Sequence, residues 1–112
     1  MICTVGWRSP VAPTSKASHC RGRDTSGFLF PSYRELGVLL SRGARAAELV
    51  LAWRGEVHST YGPRELHLAP LQIIIGAHSL HAVGYGMGIQ RDGGDQVAVA
   101  YFGDGATSQG DV

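Results

Sequence analysis

An apolar run from Val97 to Phe102 ends in Gly103-Asp104-Gly105, and small or polar residues follow as far as Val112. This pattern predicts a strand over 96–102 that feeds a glycine turn carrying one carboxylate, with a helix opening behind it. Such a turn can bring backbone N–H groups up to a phosphate while its Asp holds a divalent cation. The turn lies close to Val112, so the remainder of any site built on it is expected outside this stretch.

The elements before the strand set the fold class. Phe28-Leu29-Phe30-Pro31 reads as a short apolar lead-in. Ser32 stands three residues before Glu35, the capping-box spacing, and predicts a helix from Tyr33 to Arg42 closed by Gly43. A second helix is expected over 45–54, stopped by Gly55, with Ala47, Val50, Leu51 and Trp53 as its apolar face. Residues 55–71 read as a loop. The segment 77–89 is predicted as a third helix, whose Gly84, Gly86 and Gly88 would allow close approach to another helix or a ligand. Arg91 to Asp95 is a turn. Helices alternating with a strand point to the front part of an α/β domain with a parallel sheet. One strand is too few for a sheet, so the chain reads as a piece of a fold. Residues 1–26 hold Pro10, Pro13 and many small polar residues without periodicity, and are expected as a disordered or unrelated leader.

At 112 residues the chain is at most one domain, and its net charge of +1 gives no argument for nucleic acid or a membrane surface. Cys3 and Cys20 make no disulfide framework and no C-x-x-C pair. The start of the chain shows no signal peptide, and no apolar stretch nears the roughly 18 residues of a membrane helix. A reducing, cytoplasmic setting is the expectation.

Several chemistries compete for the glycine turn. A dinucleotide fingerprint needs its third Gly where Ser108 stands, and a P-loop needs Lys where Asp111 stands. Ser108 resembles a nucleophile-elbow serine, but its acid and His would have to follow within four residues. On spacing alone, an ordinary strand-to-helix turn comes first. His78 and His81 are spaced to share a metal, yet no Cys, Asp or Glu stands nearby, so packing or hydrogen bonding is expected of them. His58 and His67 receive no role. Tyr33-Arg34 at a helix start could offer a phenol and a guanidinium to an anion, although a packed Tyr and a solvated Arg are the plainer reading.

The order of four blocks adds a resemblance. Phe30-Pro31-Ser32-Tyr33-Arg34-Glu35-Leu36-Gly37, then Trp53-Arg54-Gly55, then Leu80-His81-Ala82-Val83-Gly84, then Gly103-Asp104-Gly105-Ala106-Thr107-Ser108-Gln109-Gly110-Asp111 run in register over residues 27–112. The string resembles the α subunit of the thiamine-diphosphate-dependent E1 component of 2-oxo acid dehydrogenase complexes. The branched-chain (2-oxoisovalerate) type is nearest and the pyruvate type next. The resemblance implies an incomplete thiamine-diphosphate-binding α/β fold, made of the front helices and first parallel strand of the cofactor domain. It implies oxidative decarboxylation of a 2-oxo acid, acyl transfer to a lipoyl carrier, and an E1 β subunit and lipoyl-bearing E2 as partners.

By the same resemblance, Tyr33 and Arg34 contact the diphosphate, and Gly103, Gly105 and Ala106 belong to the cofactor-binding turn, the last two offering N–H groups. Asp104 ligates the bridging Mg²⁺, and Ile75 lends its carbonyl to the aminopyrimidine. No catalytic residue is implied within these 112 residues. The family's downstream Asn pair lies past Val112. Where the family carries Pro and then Ala-Thr-Gln, this chain has Ile74 and then Gly76-Ala77-His78, which removes a hydroxyl and an amide. The alternative expectation is a truncated, non-catalytic remnant with at most weak association with an E1 β subunit. On either reading the isolated chain is expected to be inactive.

Overall fold

The computed structural model describes residues 2–5, 27–55, 61–110 and 112, with backbone alone at 2–5. Three strands form one sheet in the order β1-β3-β2, where β1 is Ile2–Val5, β2 is Phe28–Phe30 and β3 is Ala98–Phe102. β2 pairs parallel to β3, Phe28 opposite Ala98. β1 runs antiparallel along the other edge, Ile2 opposite Phe102. The architecture is therefore α/β with a mixed sheet.

Two expectations are corrected by these strands. Phe28–Phe30 is a strand and not a lead-in, and the leader contributes a strand at Ile2–Val5; residues 6–26 lie outside the described residues. Three residues are too few for alternation to register, and their partner stands seventy positions away in sequence.

β3 is buried along its whole length, and its two faces meet different surroundings. Val97, Val99 and Tyr101 share a core with Leu29, Leu39, Leu49 and Leu68. Ala98, Ala100 and Phe102 share the opposite core with Phe30, Ala82 and Ala106. Successive strand side chains point to opposite faces, so the alternation of bulky and small residues sorts itself by side. The long helix α4, Ala77–Arg91, lies on the side of the alanines. Small groups there let the helix axis come near the sheet. Tyr85 of α4 completes this side, its ring 4.8 Å from Phe28 and 5.7 Å from Phe30.

The other core is covered by α1 (Leu36–Ser41), α2 (Ala46–Trp53) and α3 (Pro63–Leu66). α1 begins three residues later than the capping box predicts. No side chain caps it; Glu35 is at the cap position, and its Oε2 accepts instead from the Arg34 N–H at 3.3 Å. The expected stops at Gly43 and Gly55 are present, with φ of 100° and 86°. α2 contributes Leu49 to the core, whereas the expected face of Ala47, Val50, Leu51 and Trp53 is exposed. Within the expected loop, α3 forms behind Pro63, and His67 takes a left-handed conformation that returns the chain to a bridge between Leu29 and Leu68. His58 lies outside the described residues.

α4 is present as predicted, two residues longer. Its glycines do not serve close approach among the described residues: a Cβ at Gly84, Gly86 or Gly88 would meet nothing within 4 Å. Ala82 makes the near contact with the sheet instead. Among the described residues no helix is long and apolar enough to cross a membrane.

Candidate functional site

The strand–turn–helix geometry brings three remote segments to the carboxyl end of β3. After Phe102 the chain leaves the sheet through Gly103 and enters a 3₁₀ turn, Asp104–Ser108, in place of the expected α-helix. The first bond of that turn runs from the Ala106 N–H to the Gly103 carbonyl, 3.1 Å. The N–H groups of Asp104 and Gly105 precede it and receive no partner from the turn. Thr107 Oγ1 donates to the Asp104 carbonyl at 2.6 Å, which tightens the same turn.

Beside this turn stands the start of α4. Gly76 caps the helix with φ of 83° and is buried. The left-handed backbone favours glycine there; a Cβ would lie 3.0 Å from Gln109 Oε1, the end of a flexible side chain that can move aside. At the second residue of the helix, His78 is 1% exposed, and its Nε2 lies 2.6 Å from the Tyr101 carbonyl. A carbonyl only accepts, so Nε2 carries a proton and donates. Nδ1 has no hydrogen-bond partner among the described residues. The third segment is the irregular stretch between β2 and α1, which carries Ser32, Tyr33, Arg34 and Glu35.

These segments enclose a cleft of about 370 Å³, lined by Ser32, Tyr33, Arg34, Glu35, Ile75, Gly76, His78, Phe102, Gly103, Gly105 and Ala106. The position, outside the carboxyl end of a parallel strand pair, is where α/β sheets place ligands. Of the residues named from the sequence, Tyr33, Arg34, Ile75, Gly103, Gly105 and Ala106 all line it. Asp104 does not line it but is exposed on the same turn.

Two details depart from the expectations. Tyr33 and Arg34 stand upstream of α1 and not in its first turn, so no helix end reinforces them; Arg34 is exposed, its guanidinium carbon 5.3 Å from the Tyr33 ring centre. Ala106 uses its N–H to close the 3₁₀ turn, and its methyl is packed in the core, so the free N–H groups of the turn are those of Asp104 and Gly105.

The cleft also holds two groups, Glu35 and His78, that no motif marks as site residues. Glu35 is 7% exposed on its wall, a buried carboxylate that the capping-box spacing disguises. His78, expected to pack or hydrogen-bond, does both through its ring and Nε2, and its Nδ1 is buried without a hydrogen-bond partner among the described residues. His81 is exposed and pairs with Gln72 at 3.3 Å, so the two histidines share nothing. Among the described residues no group of three His, Cys, Asp or Glu could hold a metal by itself.

Comparison with known proteins bears on this site. The family model described as "Dehydrogenase E1 component" matches residues 15–112, starting inside the segment read as a leader. The 3-methyl-2-oxobutanoate dehydrogenase subunit alpha of Mycobacterium tuberculosis (strain ATCC 25618 / H37Rv) is 43% identical over 104 residues, covering 83% of this chain and 28% of that protein. The pyruvate dehydrogenase E1 component subunit alpha of Bacillus subtilis (strain 168) is 34% identical over 84 residues, 75% of this chain and 23% of that protein. The subunit of the same name from Staphylococcus epidermidis (strain ATCC 12228 / FDA PCI 1200) is 29% identical over 109 residues, 96% of this chain and 30% of that protein. The chain thus spans under a third of the length of these relatives.

Proposed function

The chain belongs to the dehydrogenase E1 component family, and we propose that it is the cofactor-holding front of an E1 α subunit acting on a branched-chain 2-oxo acid. In this reading the cleft at the end of β3 takes thiamine diphosphate with Mg²⁺. The observation that carries it is the convergence of Tyr33, Arg34, Ile75, Gly103 and Gly105 on one cleft from three segments far apart in sequence.

The residues present suit such a group. Arg34 supplies a guanidinium fork for phosphate oxygens, and the Tyr33 phenol a further donor. The unspent N–H groups of Asp104 and Gly105 cradle an anion. Asp104 supplies one carboxylate to Mg²⁺, an ion that completes its shell with phosphate oxygens and water and needs no all-protein cage. Ile75, on the turn before α4, offers its carbonyl to an amino donor. The bound cofactor supplies the carbanion chemistry that removes carbon dioxide from a 2-oxo acid. The part left to this chain is to bind the diphosphate, fix its orientation and set one wall of the cleft.

The preference for a branched-chain acid rests on the Mycobacterium tuberculosis relative. Acyl transfer to a lipoyl-bearing E2, with an E1 β subunit completing the site in the cytoplasm, follows from the same reading. Replacing Asp104 with Ala is expected to abolish Mg²⁺-dependent binding of thiamine diphosphate in calorimetric titration. Unchanged binding would sink the metal assignment.

A further inference from the structure

Glu35 stands on the wall of the cleft, 7% exposed, and the cofactor reading gives it no task. It is held from two sides. Its main-chain carbonyl accepts from the N–H groups of Val38 and Leu39, at 2.9 and 3.2 Å, where α1 opens. Its side-chain Oε2 accepts from the Arg34 N–H at 3.3 Å.

The charges around it are unbalanced. Arg34 is the only Arg or Lys among the described residues that line the cleft. Arg42, the buried cation of the same helix, closes α1 at its other end and does not line the cleft. Against one guanidinium stand two carboxylates, Glu35 on the wall and Asp104 exposed on the turn beside it. A bare diphosphate therefore meets more negative than positive charge. Glu35 is the carboxylate shielded from water, and there like charges repel most. A diphosphate that carries a divalent cation meets the same donors, and its cation offsets the carboxylates.

We infer that Glu35 makes the cleft selective for the metal-bound form of the diphosphate, by repelling the metal-free anion and not by ligating the metal. The inference rests on the cofactor reading above. It gives the two carboxylates opposite tasks: Asp104 holds the metal-bound form, and Glu35 excludes the bare one.

Calorimetric titration of the full 112-residue chain with thiamine diphosphate tests it, once with Mg²⁺ and once with a chelator in its place. Glu35→Gln keeps an oxygen for the Arg34 N–H and removes the charge. It is expected to tighten metal-free binding about tenfold and to change binding with Mg²⁺ by less than about threefold. Asp104→Ala is expected to do the reverse, losing the binding that Mg²⁺ supports and leaving the metal-free form no weaker. A fold defect weakens both forms together, so the ratio between them is the readout. Metal-free binding no tighter in Glu35→Gln, an equal change in both forms, or a loss confined to the Mg²⁺ form overturns the inference. Salt gives a readout that needs no variant, because it screens repulsion. Metal-free binding to the unaltered chain is expected to hold or strengthen as salt rises to about 0.5 M, and a steep loss overturns the inference. An unaltered chain that binds no thiamine diphosphate with Mg²⁺ overturns the cofactor reading and this inference together, whereas equal binding with and without Mg²⁺ overturns this inference alone.

Discussion

Single residues decide how this small assembly responds to its surroundings. Tyr61 is buried, and its hydroxyl donates to the Ala69 carbonyl at 2.8 Å. Burial pushes its pKa from 10.0 up to about 12, opposed in part by a backbone hydrogen bond involving Leu71. The folded chain therefore keeps the phenolic proton over a range in which the unfolded chain has lost it. The contribution of Tyr61 is complete below pH 10 and disappears as pH rises toward about 12. Denaturant titrations across that range are expected to show falling stability, with a shallower fall in Tyr61→Phe. Equal slopes would mean that Tyr61 does not carry the effect. The lining of the cleft was partly legible in the sequence. Gly103, Gly105 and the Tyr33-Arg34 pair, named from motif and resemblance, line it together. Glu35 and the spare nitrogen of His78 could not be read there, because burial and hydrogen-bond partners belong to tertiary packing.

At the level of elements, the sheet rests on β3. Leu29 of β2 is 0% exposed and packs with Val99 and Leu39 in one core, while Leu40, one residue along on α1, is 47% exposed. Leu29→Ala is expected to cost about 2–5 kcal/mol in chemical denaturation, since it leaves a cavity. Leu40→Ala is expected to stay within about 0.5 kcal/mol. Similar losses for the two would contradict the placement of β2 against β3. Helices were easier to read than strands here. The glycine stops of α1 and α2 and the long run of α4 have local signatures, whereas β1 and β2 acquire their identity only by pairing with a remote strand. The face of α2 was misjudged for a related reason: periodicity finds an apolar stripe, but only packing says which side is covered.

Across the whole molecule, apolar side chains stand open on one stretch. Ile73, Ile74 and Ile75 are 79%, 70% and 53% exposed, and Leu80, Val83 and Met87 follow along α4. A β-branched, uncharged run of this kind favours self-association. Ile74→Lys is expected to move the sedimentation distribution toward monomer with little change in Tm. An unchanged distribution would show that this run does not drive association. The α/β class was legible from the order of the elements, and membership of the E1 family from four blocks in register. The mixed sheet was not, since an antiparallel edge strand from residues 2–5 leaves no local trace.

The order of the strands also has a consequence during synthesis. β3 lies between β1 and β2 and is translated after both. Before β3 is made, β2 has only the bridge from Leu29 to Leu68 to pair with, so the sheet cannot grow outward from an early hairpin. Its closure must wait for one late strand inserted between two early ones, and the long-range pairing makes that step slow relative to helix formation. Through that interval Phe28, Leu29 and Phe30 lack the strand that completes their cover, although Leu39, Leu68 and Tyr85 are already made.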